Sequence, residues 1–472
     1  MEKNNYLLPV AFILLAGLIA TYSNHFHNGF HFDDSHSLVN NIYIRDLGNI
    51  PLFFKDGQTL SSLPANQAYR PLMPFFYAID YKLGGGLSDT FQFHLTTFLF
   101  YVFQCVLMFF MIRKIFDRAR PGAWNSWLAL FTTAFYAFHT ANAETINYIS
   151  ARSDSISTFF VVAGITMFIC SPFSRKWLLY LIPVILGILV KPAAVVFPGL
   201  LFFYLLFFDQ PAVPASQARQ LWRCALHTLP SLAACGTLYL LQSKMTPPTF
   251  IPGGSAFEYL ITQPFVCLHY FTTFFLPTHL SADTDWLPLT SMAHPKFIIG
   301  MCFLAGLAGA ILFTWRKKHL QPVAFGLLWF IIALLPSSSI IPFAEVLNDH
   351  RTFFPYIGLA IAVTWTLKLL VGRFFTERPE RGAVTALLAG ACLVIAGHAY
   401  GTHTRNKVWL NDETLWADVT KKSPANGRGH MNYGLALMMK GDLEGAEREY
   451  NVALRYWPMY SYLHVNFGIL KN

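Results

Sequence analysis

Long apolar runs separated by short polar segments set the plan of this chain. Runs long enough to cross a hydrocarbon core, about 17–25 residues, occur near 7–23, 92–112, 126–142, 154–172, 176–190, 193–208, 222–243, 296–315, 321–337, 352–371 and 383–400. A twelfth, 258–277, carries Pro264, His269, Thr272 and Thr273. That composition predicts a re-entrant segment or one lying along the membrane surface. The pattern therefore predicts an all-α, polytopic membrane protein of about eleven spans.

Past Tyr400 the pattern becomes that of an ordinary soluble helix pair. Pro424 and Pro458, Trp416 and Tyr450, Asn432 and Asn466, Gly434 and Gly468 each stand 34 residues apart. With Gly441-Asp442, Ala446 and Ala453, this fits the tetratricopeptide repeat. Asn432, Gly434, Ala446 and Ala453 are predicted where helices pack. The division expected is a membrane domain over 1–404 and repeats over 405–472. One repeat with a half-repeat on each side is short of the roughly three needed to stand alone. The repeats are therefore expected either to dock on the membrane domain or to continue elsewhere. If docked, they sit over the mouth of the site and concentrate acceptor there.

Composition agrees: 54% of residues are hydrophobic and 12% charged, against about 25% charged in soluble domains. The net charge of +9 comes from basic loops: Arg113/Lys114/Arg118/Arg120, Arg175/Lys176, Arg219/Arg223, Arg316/Lys317/Lys318 and Lys368/Arg373/Arg378/Arg381. Such loops are cytoplasmic by the positive-inside rule, and no nucleic acid is implied. The N-terminus, beginning Met1-Glu2-Lys3, is read as inside, with a first helix that is retained. The other face then holds residues 24–91, Asn142–Asp154, Lys191, 244–296, Ser337–Arg351 and the tail. The seven cysteines sit in or beside apolar runs and read as small core residues.

The polar residues of that outer face carry the chemistry. Gly29-Phe30-His31-Phe32-Asp33-Asp34-Ser35-His36 sets two acids and two histidines at a membrane edge, where charge is costly unless used. Adjacent carboxylates point apart, so one suits a general base and the other an acceptor-orienting or cation-binding role. No cofactor is required, although a divalent cation (magnesium or manganese) on Asp33 and Asp34 is compatible. Arg70, in Tyr69-Arg70-Pro71-Leu72, precedes an amphipathic stretch (72–81) suited to the membrane surface, and its guanidinium suits a phosphate oxygen. Lys191, His350 and Arg351 are candidates for the same phosphate-binding cluster. His94, Glu144, Arg152 and Asp154 are supporting polar residues. By counting along the helices, His94 falls in an outer third and His139 in an inner third. HExxH, paired Cys-x-x-Cys, Walker and dinucleotide patterns do not occur, which argues against a zinc protease, an ATPase or a redox enzyme.

Phe32-Asp33-Asp34, Tyr69-Arg70-Pro71-Leu72, His94, Ala137-Phe138-His139 with Glu144, Arg152-x-Asp154, Lys191, Arg351 with Pro355 and Gly358, and Arg405-Asn406-x-x-Trp409 come in this order. Together they resemble the transmembrane and tetratricopeptide-repeat O-mannosyltransferases and their bacterial relatives. The resemblance departs at Thr140, at Lys191-Pro192 and at His350-Arg351. It implies the GT-C glycosyltransferase fold, a polyprenyl-phosphate-linked sugar as donor, inversion at the anomeric carbon, and Asp33 as base with Asp34 beside it. The expected function is transfer of a hexose, mannose by resemblance, to Ser/Thr hydroxyls of exported proteins. A lipid or surface-glycan acceptor is one alternative, and a non-catalytic scaffold or transporter another. The chain contains no Asn-x-Ser/Thr sequon. This favours a bacterial inner membrane with a periplasmic site and tail over the luminal face of the endoplasmic reticulum.

Overall fold

The structure, a computed structural model, describes residues 5–209, 216–249, 254–339, 341–374 and 381–471. Lys3 and Arg378 lie outside the described residues, as do the side chains of Arg373 and Arg381. Among the described residues there is no β-strand, and each apolar run of the sequence falls on a helix. Among the described residues six helices are long and apolar enough to cross a membrane: Phe91–Ala119, Arg152–Cys170, Gln217–Met245, Pro295–Trp315, Pro355–Gly372 and Gly382–Val408. Leu7–Thr21, Leu181–Val190, Pro192–Phe208 and Lys318–Leu334 are shorter apolar elements.

Two helices stop for local reasons. Asn125–Phe138 ends where His139 turns extended and caps the next turn by accepting from the Ala141 amide. Leu181–Val190 ends at Lys191, which is extended because the following Pro192 disfavours the helical region for it. Both breaks open onto the same end of the bundle, and the residues freed there build the site. His139 thus lies at the site end of its helix, not in the inner third that counting suggests.

The opposite end is basic. Asp209 is held there by Arg175 at 2.7 Å and Arg223 at 3.2 Å, and Lys368 donates to Asn125 at 2.7 Å.

The 258–277 run forms one continuous helix, Ala256–Phe275, and does not dip and return. It lies across the site end. From its start Tyr259 donates to the Ser337 carbonyl, from its middle Gln263 donates to the Val346 carbonyl, and at its close the Phe274 carbonyl meets His139 Nε2.

At the junction with the tail, helix Arg381–Val408 runs unbroken across position 404, so a rigid element leads into the C-terminal helices. Asp412–Lys422, Gly427–Lys440, Leu443–Tyr456 and Ser461–Lys471 follow. Ala446, Tyr450 and Ala453 are fully buried between them. A methyl group on Gly434 would lie 2.5 Å from the Tyr450 ring, which explains the small residue there. Asn432 is only half-buried. These helices dock on the membrane domain: Lys422 donates to the Leu280 carbonyl at 2.6 Å. Arg428 reaches Asp283 at 2.9 Å and Glu345 at 3.0 Å.

Candidate active site

The first long loop folds as a lid over a second apolar core that includes Leu38, Ile44, Phe53, Leu72, Met73 and Tyr77. Leu72–Leu83, expected on the membrane surface, is a helix whose Leu72, Met73, Tyr77 and Ala78 are buried in that core. Within the loop Phe32 has φ = +48°. For a residue with a Cβ this left-handed turn costs about 1–2 kcal/mol.

Asp34 turns inward. It is fully buried and accepts from the His31 amide at 3.0 Å, the Ser150 amide at 2.8 Å and the Ser150 hydroxyl at 2.5 Å. Burial pushes its carboxyl up to about 6, with those bonds pulling the other way. Both oxygens are spent on protein donors, so Asp34 ties the loop to residues 147–152. A cation at the acidic pair would find one free carboxylate, and among the described residues no three His, Cys, Asp or Glu side chains converge as a metal site.

Asp33 turns outward, its side chain 57% exposed although surrounding protein partly desolvates it. Its amide donates to the Tyr148 hydroxyl at 3.0 Å, and His36 Nε2 lies 3.3 Å from Oδ1. Burial raises the carboxyl, but His36, His350 and Tyr148 together outweigh it and leave the group below the usual range. Asp33 is therefore a carboxylate at neutral pH, fixed through its backbone and open to a ligand.

One cation, Arg70, reaches it electrostatically, and Lys191 and Arg351 neighbour one another and Arg70. Arg70 is half-buried, and its Nε is buried without a partner. Among the described residues its guanidinium makes no ion pair. Burial lowers its pKa, while Asp154, Tyr77 and Asp33 act in the opposite sense. Lys191 is held by both oxygens of Asp154, at 2.7 and 2.6 Å. Its pKa is pulled down by burial and by the charges of Arg70 and Arg351, against Asp154. Arg351 donates to the Tyr259 hydroxyl and the Glu345 carbonyl and lies 4.8 Å from the Phe343 ring centre. Arg70, Lys191 and Arg351 thus share one electrostatic neighbourhood, with Asp154 as the counter-charge that keeps Lys191 in place. A half-buried guanidinium lacking its own anion suits a phosphate.

The supporting residues divide. His350 Nδ1 meets Glu144 Oε1 at 2.6 Å, which directs its Nε2 away from that carboxylate. His350 also reaches Asp33 electrostatically. Arg152 and His94 do not line the site. Arg152 is fully buried, pairs with Asp80 at 2.5 Å and sits 4.4 Å from the Tyr77 ring centre. His94 Nε2 meets the Asn28 carbonyl at 2.9 Å. Both are packing groups beneath the site.

No family model matches the chain. Over 471 residues, 95% of the chain, it is 24% identical to protein O-mannosyl-transferase F38B6.6 of Caenorhabditis elegans. It is 22% identical over 92% of its length to protein O-mannosyl-transferase TMTC4 of Homo sapiens, and 21% over 96% to protein O-mannosyl-transferase Tmtc3 of Drosophila melanogaster. All three of these relatives are named protein O-mannosyl-transferases. The chain spans 63%, 64% and 56% of those three proteins. Among solved structures it is similar to the oligosaccharyltransferase AglB of Archaeoglobus fulgidus in complex with an inhibitory peptide and a dolichol-phosphate. That match has a TM-score of 0.47 and 11% identity, covering 86% of this chain and 56% of that one. The apo form of the Archaeoglobus fulgidus oligosaccharyltransferase gives 0.42 and 13%, covering 88% and 57%.

Sequence reasoning missed Asp80, Tyr77, Tyr148 and Ser150. Asp80 carried a signal: an acid inside an apolar helical stretch implies a buried partner. Tyr148 and Ser150 carried none, since their roles arise only when residues 147–152 meet the first loop.

Proposed function

We propose that this chain is a GT-C-type glycosyltransferase moving a monosaccharide, mannose by similarity, from a polyprenyl phosphate to a Ser/Thr hydroxyl of an exported protein. The observation that carries the reading is an open, ionised Asp33 in the electrostatic reach of an unpaired Arg70 at the end of a membrane bundle. Asp33 takes the proton of the acceptor hydroxyl as its oxygen bonds to the anomeric carbon from the face opposite the leaving group. The bond from that carbon to the phosphate oxygen breaks with inversion. Arg70, with Arg351 and Lys191, stabilises the negative charge on the departing polyprenyl phosphate. His350, oriented by Glu144, stands beside Asp33 as a further polar contact. The phosphate is a good leaving group, and no step passes through a metal. The tetratricopeptide-like helices, docked beside the site, suit a peptide acceptor better than a lipid.

The test is transfer from labelled polyprenyl-phosphate sugars by the purified protein. Asp33→Asn is expected to lower turnover by roughly 10²–10⁴-fold while donor binding persists, because a base acts chiefly in the transition state. Arg70→Ala should weaken donor binding as well. Near wild-type turnover in Asp33→Asn would remove the base assignment, and label recovered in lipid or glycan would shift the acceptor class.

A further inference from the structure

We propose that the C-terminal segment is part of the catalytic apparatus: Trp409, Asp412 and Trp416 are positioning residues that set the geometry of Asp33. The inference rests on the reading of Asp33 as the base. The carboxylate follows a left-handed Phe32, a conformation that persists only where surroundings over-determine it. Those surroundings come largely from beyond residue 405.

The Phe32 ring sits against Trp416 at 5.0 Å, Tyr148 at 5.5 Å and Trp409 at 6.2 Å between ring centres. One residue earlier, His31 is buried with Nδ1 2.8 Å from Asp412 Oδ1 and Nε2 2.8 Å from the Trp409 carbonyl. Both ring nitrogens face oxygens of the C-terminal segment. Two residues before that, the Gly29 amide donates to the Leu410 carbonyl at 3.1 Å. The contacts to residues 29, 31 and 32 anchor the backbone that presents Asp33 and Asp34. Trp416 belongs to helix Asp412–Lys422, which packs on the helix pair proposed to take the acceptor. The base and the acceptor platform are thus one mechanical unit.

The experiment compares the full chain with Trp416→Ala, Trp416→Phe, Phe32→Ala and the Phe32→Ala/Trp416→Ala double variant. The readouts are turnover and binding of labelled polyprenyl-phosphate sugar. Trp416→Ala and Phe32→Ala are each expected to lower kcat on the order of 10- to 100-fold, as for a displaced reacting group, with donor affinity kept. Trp416→Phe should restore most of the rate, and the double variant should be little worse than either single one, since both remove the same contact. Unchanged kcat in both alanine variants overturns the proposal. So does a parallel loss of kcat and donor binding in both, which marks a merely structural role. An active Asp33→Asn enzyme would instead remove the base reading, whatever the tryptophan variants do.

Discussion

Asp34 and Asp33 share a backbone and differ in every other respect. Asp34 has no solvent and three protein donors, and burial pushes its carboxyl from 3.8 to about 6. Between those values the folded protein keeps a proton that the unfolded chain has lost. The contribution of Asp34 to stability is therefore full below pH 3.8, falls as pH rises towards 6, and is flat above. At about 1.4 kcal/mol per pKa unit the effect is at most about 3 kcal/mol. Asp34→Asn removes it, at the cost of part of the Ser150 interaction. The melting midpoint of the variant relative to wild type should therefore rise between about pH 4 and pH 6 and then level off. Parallel curves over that interval would show that Asp34 is not the buried carboxyl described. At this scale the sequence was legible in part: two adjacent acids implied separate roles. Which acid turned inward depended on Ser150, which has no local signature.

At the scale of elements, the apolar runs located the helices because burial and hydrocarbon length constrain both alike. Their ends were less legible: run 126–142 continues past the point where His139 leaves the helix, and run 176–190 begins before its helix does, at Leu181. The Arg152–Asp80 pair stayed hidden because its halves lie on helices that meet only in three dimensions. Close packing has a clearer trace in glycine. Gln321–Leu334 and Pro355–Phe374 cross at Gly326 and Gly358, where a methyl group on either would come 2.4 Å from the other's carbonyl oxygen. Small residues at such crossings let backbones approach. Gly358→Leu should force these helices apart and cost about 1–3 kcal/mol, read as a lower melting midpoint in detergent. The helix bearing Gly358 begins just after Arg351, so donor affinity should weaken in parallel. A variant with unchanged midpoint and affinity would show that the crossing tolerates separation.

The whole molecule is polar in the literal sense. Arg175 and Arg223 around Asp209, with Lys368 on Asn125, mark one end. Asp33, Arg70, Lys191, Arg351 and the docked C-terminal helices mark the other. Positive loops are retained in the cytoplasm, so the basic end should be inside and the candidate site exported. That is the side on which a polyprenyl-linked sugar and an exported protein would meet. Two exposed positions give the measurement. Trp124 is 64% exposed in the loop between Phe91–Ala119 and Asn125–Phe138 at the basic end, and Met292 is 54% exposed in the segment before Pro295–Trp315 at the site end. With the exposed Cys170, Cys302 and Cys392 replaced by serine, Met292→Cys should react with a membrane-impermeant maleimide in intact cells. Trp124→Cys should react only after permeabilisation. In a separate background where Cys302 and Cys392 are serine but Cys170 is kept, Cys170 itself, which closes helix Arg152–Cys170 at the basic end, provides a control and should behave like Trp124→Cys. If Met292→Cys needed permeabilisation while Trp124→Cys did not, the bundle would be inverted. The site would then face the cytoplasm, and exported proteins could not be its acceptors.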